Sequence, residues 1–271
     1  MTLYPGVALV TGAASGIGRA TAVSFAQEGC LRIVICDQNL SGLDETRKLI
    51  AATNASAEVL IQKVDVIQSS EITAAITSAV AKFGRLDYAI NCAGIGNIAK
   101  RSTELAEDEF EKIFQINYRG CWLSSRAELK QMLQQESLST HDGRPGVRGA
   151  VVNIASQLGL VGRPTAPAYC SAKSAVIAMT RCDAIDYSKD SIRVNCICPG
   201  LIDTPMTHRD PEKLKAMTAS LAIAPMNRWG TAQEVADACL FLCSSKASFI
   251  QGAALVRRPR EAFPHDEPEG C

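Results

Sequence analysis

Short uninterrupted apolar runs alternate along this chain with longer stretches in which apolar residues recur every three or four positions. Runs at 7–10, 32–37, 58–64, 88–91, 150–155, 192–198 and 253–256 read as seven strands. Most are continuous rather than alternating, as expected of strands buried on both faces. Between them lie helical patterns at 19–28 and 40–53, and a stripe of Ile72, Ile76, Ala79, Val80 and Phe83 at core-facing spacing. A long helical region follows at 104–135, read as two segments meeting near Tyr118-Arg119-Gly120. Another runs from Pro167 to about Ser188. Thr231-Ala232-Gln233-Glu234 is a capping box that opens a last helix to about Cys243. Alternation of this kind predicts parallel strands joined by right-handed crossovers: an α/β, doubly wound sheet of about seven strands with helices on both faces. No repeat or linker divides it, so residues 1–256 are expected to form one domain. Residues 136–149 are polar, contain Gly143, Pro145 and Gly146, and read as a surface loop. The Pro-punctuated stretch 201–224 suits a mobile lid. Residues 257–271 form a polar, Pro-containing tail expected to pack loosely.

Composition narrows the classes of partner. Lys plus Arg equals Asp plus Glu, 28 each, so no bulk field favours nucleic acid or an anionic membrane surface. No apolar run reaches the length of a membrane span. The chain enters its first strand almost at once, without the basic start and apolar core of a signal peptide, which points to the cytoplasm. The eleven cysteines are odd in number and scattered, and are expected to be reduced and buried. Cys196-x-Cys198 and Cys239-x-x-x-Cys243 lack zinc spacing, and His141, His208 and His265 are far apart, so no metal site is expected.

The candidate chemistry falls at strand ends. The first strand runs into Thr11-Gly12-Ala13-Ala14-Ser15-Gly16-Ile17-Gly18 and then a helix. Glycines there permit a tight turn and close backbone approach, and the helix start offers free N–H groups, so the loop suits a phosphate. Asp37 ends the second strand nineteen residues after Gly18. An acid at that place can accept hydrogen bonds from a ribose 2′-hydroxyl and repels a 2′-phosphate, which favours NAD over NADP. It could also simply cap the next helix. Asp65 and Asn91 follow strands three and four, and ligands in such sheets bind at these carboxyl ends. Ser156 ends the fifth strand. Tyr169 and Lys173, four apart at the start of a helix, present phenol and ammonium on one face, and a nearby cation favours the phenolate. A bare pair of this spacing is common by chance, so its meaning depends on the rest of the sequence.

Together these residues resemble the classical short-chain dehydrogenase/reductase family over roughly residues 5–256. The matching motifs are Thr11-Gly12-x-x-x-Gly16-x-Gly18, Asp65, Asn91-x-Ala93-Gly94, Asn117, Ser156, Tyr169-x-x-x-Lys173, and Pro199-Gly200 followed by Thr204. A softer likeness, in the loop before the fifth strand, is to fungal members of natural-product pathways. The resemblance implies a Rossmann-type fold and a catalytic set of Asn117, Ser156, Tyr169 and Lys173. Tyr169 is the implied general acid/base. Lys173 binds the nicotinamide ribose and favours the phenolate. Ser156 hydrogen-bonds the substrate oxygen, and Asn117 holds a relay water. Gly12, Ser15, Gly16, Ile17 and Gly18 would line the pyrophosphate. Asp37 would take the adenosine ribose, Asp65 and Val66 the adenine, and Asn91, with Ala93 and Gly94, the nearby ribose side. Pro199, Gly200, Ile202 and Thr204 would meet the nicotinamide end.

The implied reaction interconverts a secondary alcohol and a ketone, with NAD as cofactor and oxidation as the expected direction. The walls 158–167 and 201–224 are largely apolar (Leu158, Leu160, Val161, Met206, Met217 and Leu221). They suit a neutral, cyclic, natural-product-like alcohol, with Leu158 and Met206 as tentative contacts. They could equally be core or interface. A ketoreductase of the 3-oxoacyl or polyketide type and a non-catalytic dinucleotide-binding protein are the alternatives. The family's usual Val-Asp-Gly-Gly close is replaced here by Arg257-Arg258-Pro259-Arg260. In the family this last strand helps build a tetramer interface. A homo-oligomer, tetramer or dimer, is therefore expected, its state left open by that change.

Overall fold

The computed structural model describes residues 2–140, 142–208, 214–215, 218, 221 and 226–256. The tail expected at 257–271 lies outside the described residues, as does Met217. Seven strands form one parallel sheet: β1 (Val7–Thr11), β2 (Arg32–Asp37), β3 (Glu58–Lys63), β4 (Tyr88–Asn91), β5 (Gly149–Ile154), β6 (Ile192–Cys198) and, after two short strands, β9 (Ala254–Val256). Their spatial order is β3-β2-β1-β4-β5-β6-β9. The order reverses between β1 and β4, which opens a crevice at the carboxyl ends. The central strands β1, β4, β5 and β6 are buried along their whole length, whereas β3 at the edge is only partly so.

Helices α1 (Gly16–Gln27), α2 (Leu40–Thr53) and α8 (Ala232–Cys243) cover one face. On that face Tyr4, Phe25 and Tyr88 form an aromatic cluster with ring centroids 5.3–5.8 Å apart. The other face carries α3 (Ser69–Phe83), α4 (Glu107–Phe114), α5 (Cys121–Met132) and α6 (Pro167–Tyr187). The helix expected from Arg19 begins three residues earlier, so the glycine-rich loop runs directly into its first turn. The two segments expected to meet near Gly120 form one continuous run. Residues Gln115–Gly120 take a π turn between α4 and α5, which shifts the hydrogen-bond register without breaking the helix. The ten cysteines among the described residues are all free, and seven are buried.

Candidate active site

The side of the crevice that carries the loop after β1 is built by close backbone packing. Thr11 Oγ1 accepts N–H bonds from Cys92 (3.1 Å) and Ala93 (3.3 Å), which ties the loop after β4 to the end of β1. Gly12 has φ +69°, and a Cβ on it would stand 2.8 Å from the Ala93 nitrogen. A Cβ on Gly18 would stand 2.2 Å from the Gly12 carbonyl oxygen. Only glycine fits either place. Ser15 precedes α1 without a side-chain cap bond. The first-turn N–H groups of Gly16 and Ile17 therefore remain available to a phosphate. Thr204 leans over this loop, 3.4 Å from the position of a Gly16 Cβ.

Asp37 binds the same loop from β2. Its Oδ2 accepts from Ala14 N (3.2 Å) and its Oδ1 from Asn39 N (3.0 Å). Arg19, the cation on this loop, is already engaged: it donates to Thr46, to the carbonyls of Ala14 and Gly42, and to Glu45. Asp65 accepts from Ile67 N at 3.1 Å and orders the turn after β3. Val66 is buried against the π turn, where a Cβ on Gly120 would lie 2.7 Å from its Cγ2.

On the reaction side, the π turn carries Asn117, which is 1% exposed. Its carboxamide clasps the loop after β4: Oδ1 accepts from Ile95 N (2.9 Å) and Nδ2 donates to Ile95 O (3.1 Å). A Cβ on Gly94 would stand 2.6 Å from Asn117 Oδ1 and 3.8 Å from Lys173 Nζ, so these three residues meet at one point. Lys173 is 6% exposed, and its ammonium donates to Ile154 O at 2.7 Å. That ammonium lies 5.9 Å from the centroid of the half-buried Tyr169 ring. Ser156 starts a short 3₁₀ turn, its Oγ accepting from Leu158 N at 3.1 Å. The oxygen thus keeps its own proton for another acceptor. Gln157 N donates to Pro199 O at 2.9 Å, which locks this turn to the Pro199-Gly200 corner.

The outer wall begins where β7 (Ile202–Asp203) pairs with β8 (Gly230–Thr231). The short α7 (Pro205–His208) follows. Met206 on it is half-exposed, its Cγ 3.6 Å from the Cβ position of Gly96. Leu158 is half-buried and Leu160 largely exposed. The geometry therefore gathers Asn117, Ser156, Tyr169, Lys173, the loops after β1 and β4 and the Pro199-Gly200 corner at one end of the sheet.

Asn91 sits differently from the expectation. Its side chain turns into the core rather than toward the crevice, and Nδ2 donates to Glu128 Oε2 (2.8 Å) and Asn153 Oδ1 (3.0 Å). Asn153 Nδ2 continues to Thr180 on α6 at 3.0 Å. Glu128 is fully buried, and burial pushes its carboxyl up to about 7 against the opposing pull of the Asn91 hydrogen bond. Sequence reading had missed Glu128. Its signal was a carboxylate on a helix stripe, 121, 124, 125, 128, 129 and 132, whose other positions are apolar or small.

The chain matches the enoyl-(acyl carrier protein) reductase family model over residues 12–257. It is 36% identical over 252 residues to the 2-(R)-hydroxypropyl-CoM dehydrogenase of Xanthobacter autotrophicus, covering 92% of this chain and 96% of the relative. It is 34% identical over 260 residues to the short-chain dehydrogenase fogB of Aspergillus ruber, covering 93% and 94%. Among solved structures, levodione reductase superposes with a TM-score of 0.85 at 35% identity, covering 93% of this chain and 96% of that one.

Proposed function

The chain belongs to the short-chain dehydrogenase/reductase family, and from that premise we propose an NAD(H)-dependent oxidoreductase that oxidises a secondary alcohol to a ketone on a neutral, apolar, cyclic substrate. The observation that carries this reading is Lys173. A nearly buried ammonium with one backbone carbonyl and no carboxylate partner among the described residues is costly unless its other donors serve a ligand. Its neighbours are the Tyr169 ring and the Gly94–Asn117 contact. That is where a ribose diol and a reacting hydroxyl could share it.

The cradle fits a dinucleotide. Gly12 and Gly18 let the loop pack backbone on backbone where a Cβ would clash, which shapes the turn, and Ser15, Gly16 and Ile17 would border a pyrophosphate there. Asp37 would accept from the adenosine ribose, and Asp65 and Val66 would border the adenine. Asn91 would contribute through its backbone, with Ala93 and Gly94 beside it. Pro199, Gly200, Ile202 and Thr204 would border the nicotinamide. When bound, the cofactor supplies the hydride acceptor. The chain's own residues do the rest: Tyr169 takes the hydroxyl proton, Lys173 stabilises the phenolate, and Ser156 donates its hydroxyl to the substrate oxygen. Asn117 stays fixed to Ile95 and keeps the loop after β4 against Lys173. Leu158 and Met206 would meet the substrate body. The name of levodione reductase, a similar protein, favours ketone reduction as the second reading.

For NAD rather than NADP, the support is the Asp37 carboxylate together with the Arg19 guanidinium being held by Thr46, Ala14, Gly42 and Glu45. The test is a calorimetric titration of both dinucleotides into the wild type and Asp37→Ala. The wild type should prefer NAD. The variant should lose about ten- to a hundredfold in NAD affinity, the worth of a hydrogen bond to a charged group. Lys63, in register beside Asp37 on β3, would then attract a 2′-phosphate without the Asp37 carboxylate to oppose it. A wild-type preference for NADP would remove Asp37 from the ribose and with it the main support for oxidation.

A further inference from the structure

Behind the crevice, a chain of buried polar side chains links the elements that carry the proposed catalytic residues. Asn91 ends β4, three residues before Gly94. Asn153 lies three residues before Ser156. Thr180 lies seven residues past Lys173 on α6. Glu128 is on α5, beyond the π turn of Asn117. The bonds run Glu128–Asn91–Asn153–Thr180, and Thr180 Oγ1 closes on Val176 O at 2.8 Å.

Two atoms in this chain have no hydrogen-bond partner: Asn91 Oδ1 and Glu128 Oε1. Both are acceptors, and each is the other terminal atom of a group already joined through Asn91 Nδ2 and Glu128 Oε2. Buried acceptors without donors are rare and costly. One proton satisfies both at once. Placed on Glu128 Oε1, it turns the carboxylate into a carboxylic acid that can donate to the amide oxygen while Oε2 goes on accepting from the amide nitrogen. No cation pairs with Glu128 among the described residues, so nothing there compensates the ionised form.

We propose that Glu128 is a positioning residue, a neutral carboxylic acid closed into a cyclic acid–amide pair with Asn91, which holds the ends of β4 and β5 in register beneath the site. Its action is indirect, through the loop 92–95 that Asn117 clasps and through the Ser156 turn. It rests on the catalytic reading above. Two buried thiols feel its charge. Cys36 on β2 and Cys121 on its own helix are buried thiols, Cys36 pushed well up and Cys121 up to about 12. Lys173 and Asp183 of α6 act on Cys121 with opposite signs.

The sign of the pH dependence follows. Burial raises the folded carboxyl from 4.5 to about 7. Its contribution to stability is therefore complete below the unfolded value and is lost as pH rises through that window. A glutamine preserves the pair in the same geometry, because its amide donates to Asn91 Oδ1 and accepts from Asn91 Nδ2. It removes the titration.

The test uses the full chain as wild type, Glu128→Gln and Glu128→Leu. Below pH 7, infrared difference spectra should show the carbonyl stretch of a protonated carboxyl that is absent from Glu128→Gln. The melting temperature of the wild type should fall relative to Glu128→Gln as pH rises from 4.5 toward 7. With NAD and an alcohol, Glu128→Gln should keep kcat within about twofold, while Glu128→Leu loses about ten- to a hundredfold in kcat with NAD affinity retained. Absence of the infrared band, or wild-type kcat in Glu128→Leu, overturns the proposal. If Glu128→Leu does not fold, the spectrum and the pH series on Glu128→Gln decide it. The infrared result needs no activity, so it stands apart from failure of the catalytic reading.

Discussion

The two ends of the central sheet both bury charge, but they treat it differently. At the amino ends, Asp87 is 1% exposed and accepts from Val7 N and from the Arg85 guanidinium. Arg193 is 5% exposed and donates to the carbonyls of Leu242, Cys243 and Ser244, capping the end of α8, with only Nε left over. At the carboxyl ends, the Lys173 ammonium has one carbonyl. The amino end uses its charges to finish the fold. The carboxyl end keeps hydrogen-bonding capacity open where a ligand would enter, which is how a binding site differs from a structural ion pair.

Breaking the carboxyl end should cost chemistry, and breaking the amino end should cost stability. The largest effect is expected from Tyr169→Phe. Turnover should fall by about 10²- to 10⁴-fold, the usual worth of a positioned acid/base. NAD affinity and melting temperature should stay close to wild type, as stopped-flow rates, titration and a thermal scan would show. A smaller but opposite signature is expected from Arg193→Met. Three carbonyls lose their donor, so stability to urea should drop by about 1–3 kcal/mol. The rate per folded molecule should not change. A variant of Arg193 that lost turnover at unchanged stability would erase the distinction between the two ends.

Much of this division was legible in the sequence. Uninterrupted apolar runs located the central strands, and continuous burial of β1, β4, β5 and β6 is the physical reason they were visible. The glycines at 12 and 18 announced their loop because close approach excludes side chains there, and Gly16 because its φ is +52°. The π turn was not legible. Gln115–Gly120 contains no proline, and its only mark, Gly120, suggested a break between helices. The packing explains that glycine instead, since Val66 occupies the space a side chain would need. The buried web was hidden for a related reason. A lone glutamate on a helix reads as a solvated face until the fold shows what lies opposite. Asn91 was placed at the right strand end, but which way its side chain turns depends on Glu128 and Asn153, which are distant in sequence.

The most direct test of the account is a thermal melt of the wild type and Lys173→Met, each with and without saturating NAD. A ligand that binds only the folded state must raise the melting temperature by mass action, by about 2.7 kcal/mol of stability at a hundred times its dissociation constant. The account predicts a clear NAD-dependent rise in the wild type and a much smaller one in Lys173→Met, whose melt without NAD should be no lower than the wild type's because a buried, underpartnered charge has gone. Equal NAD shifts in both proteins, or none in the wild type, would contradict it.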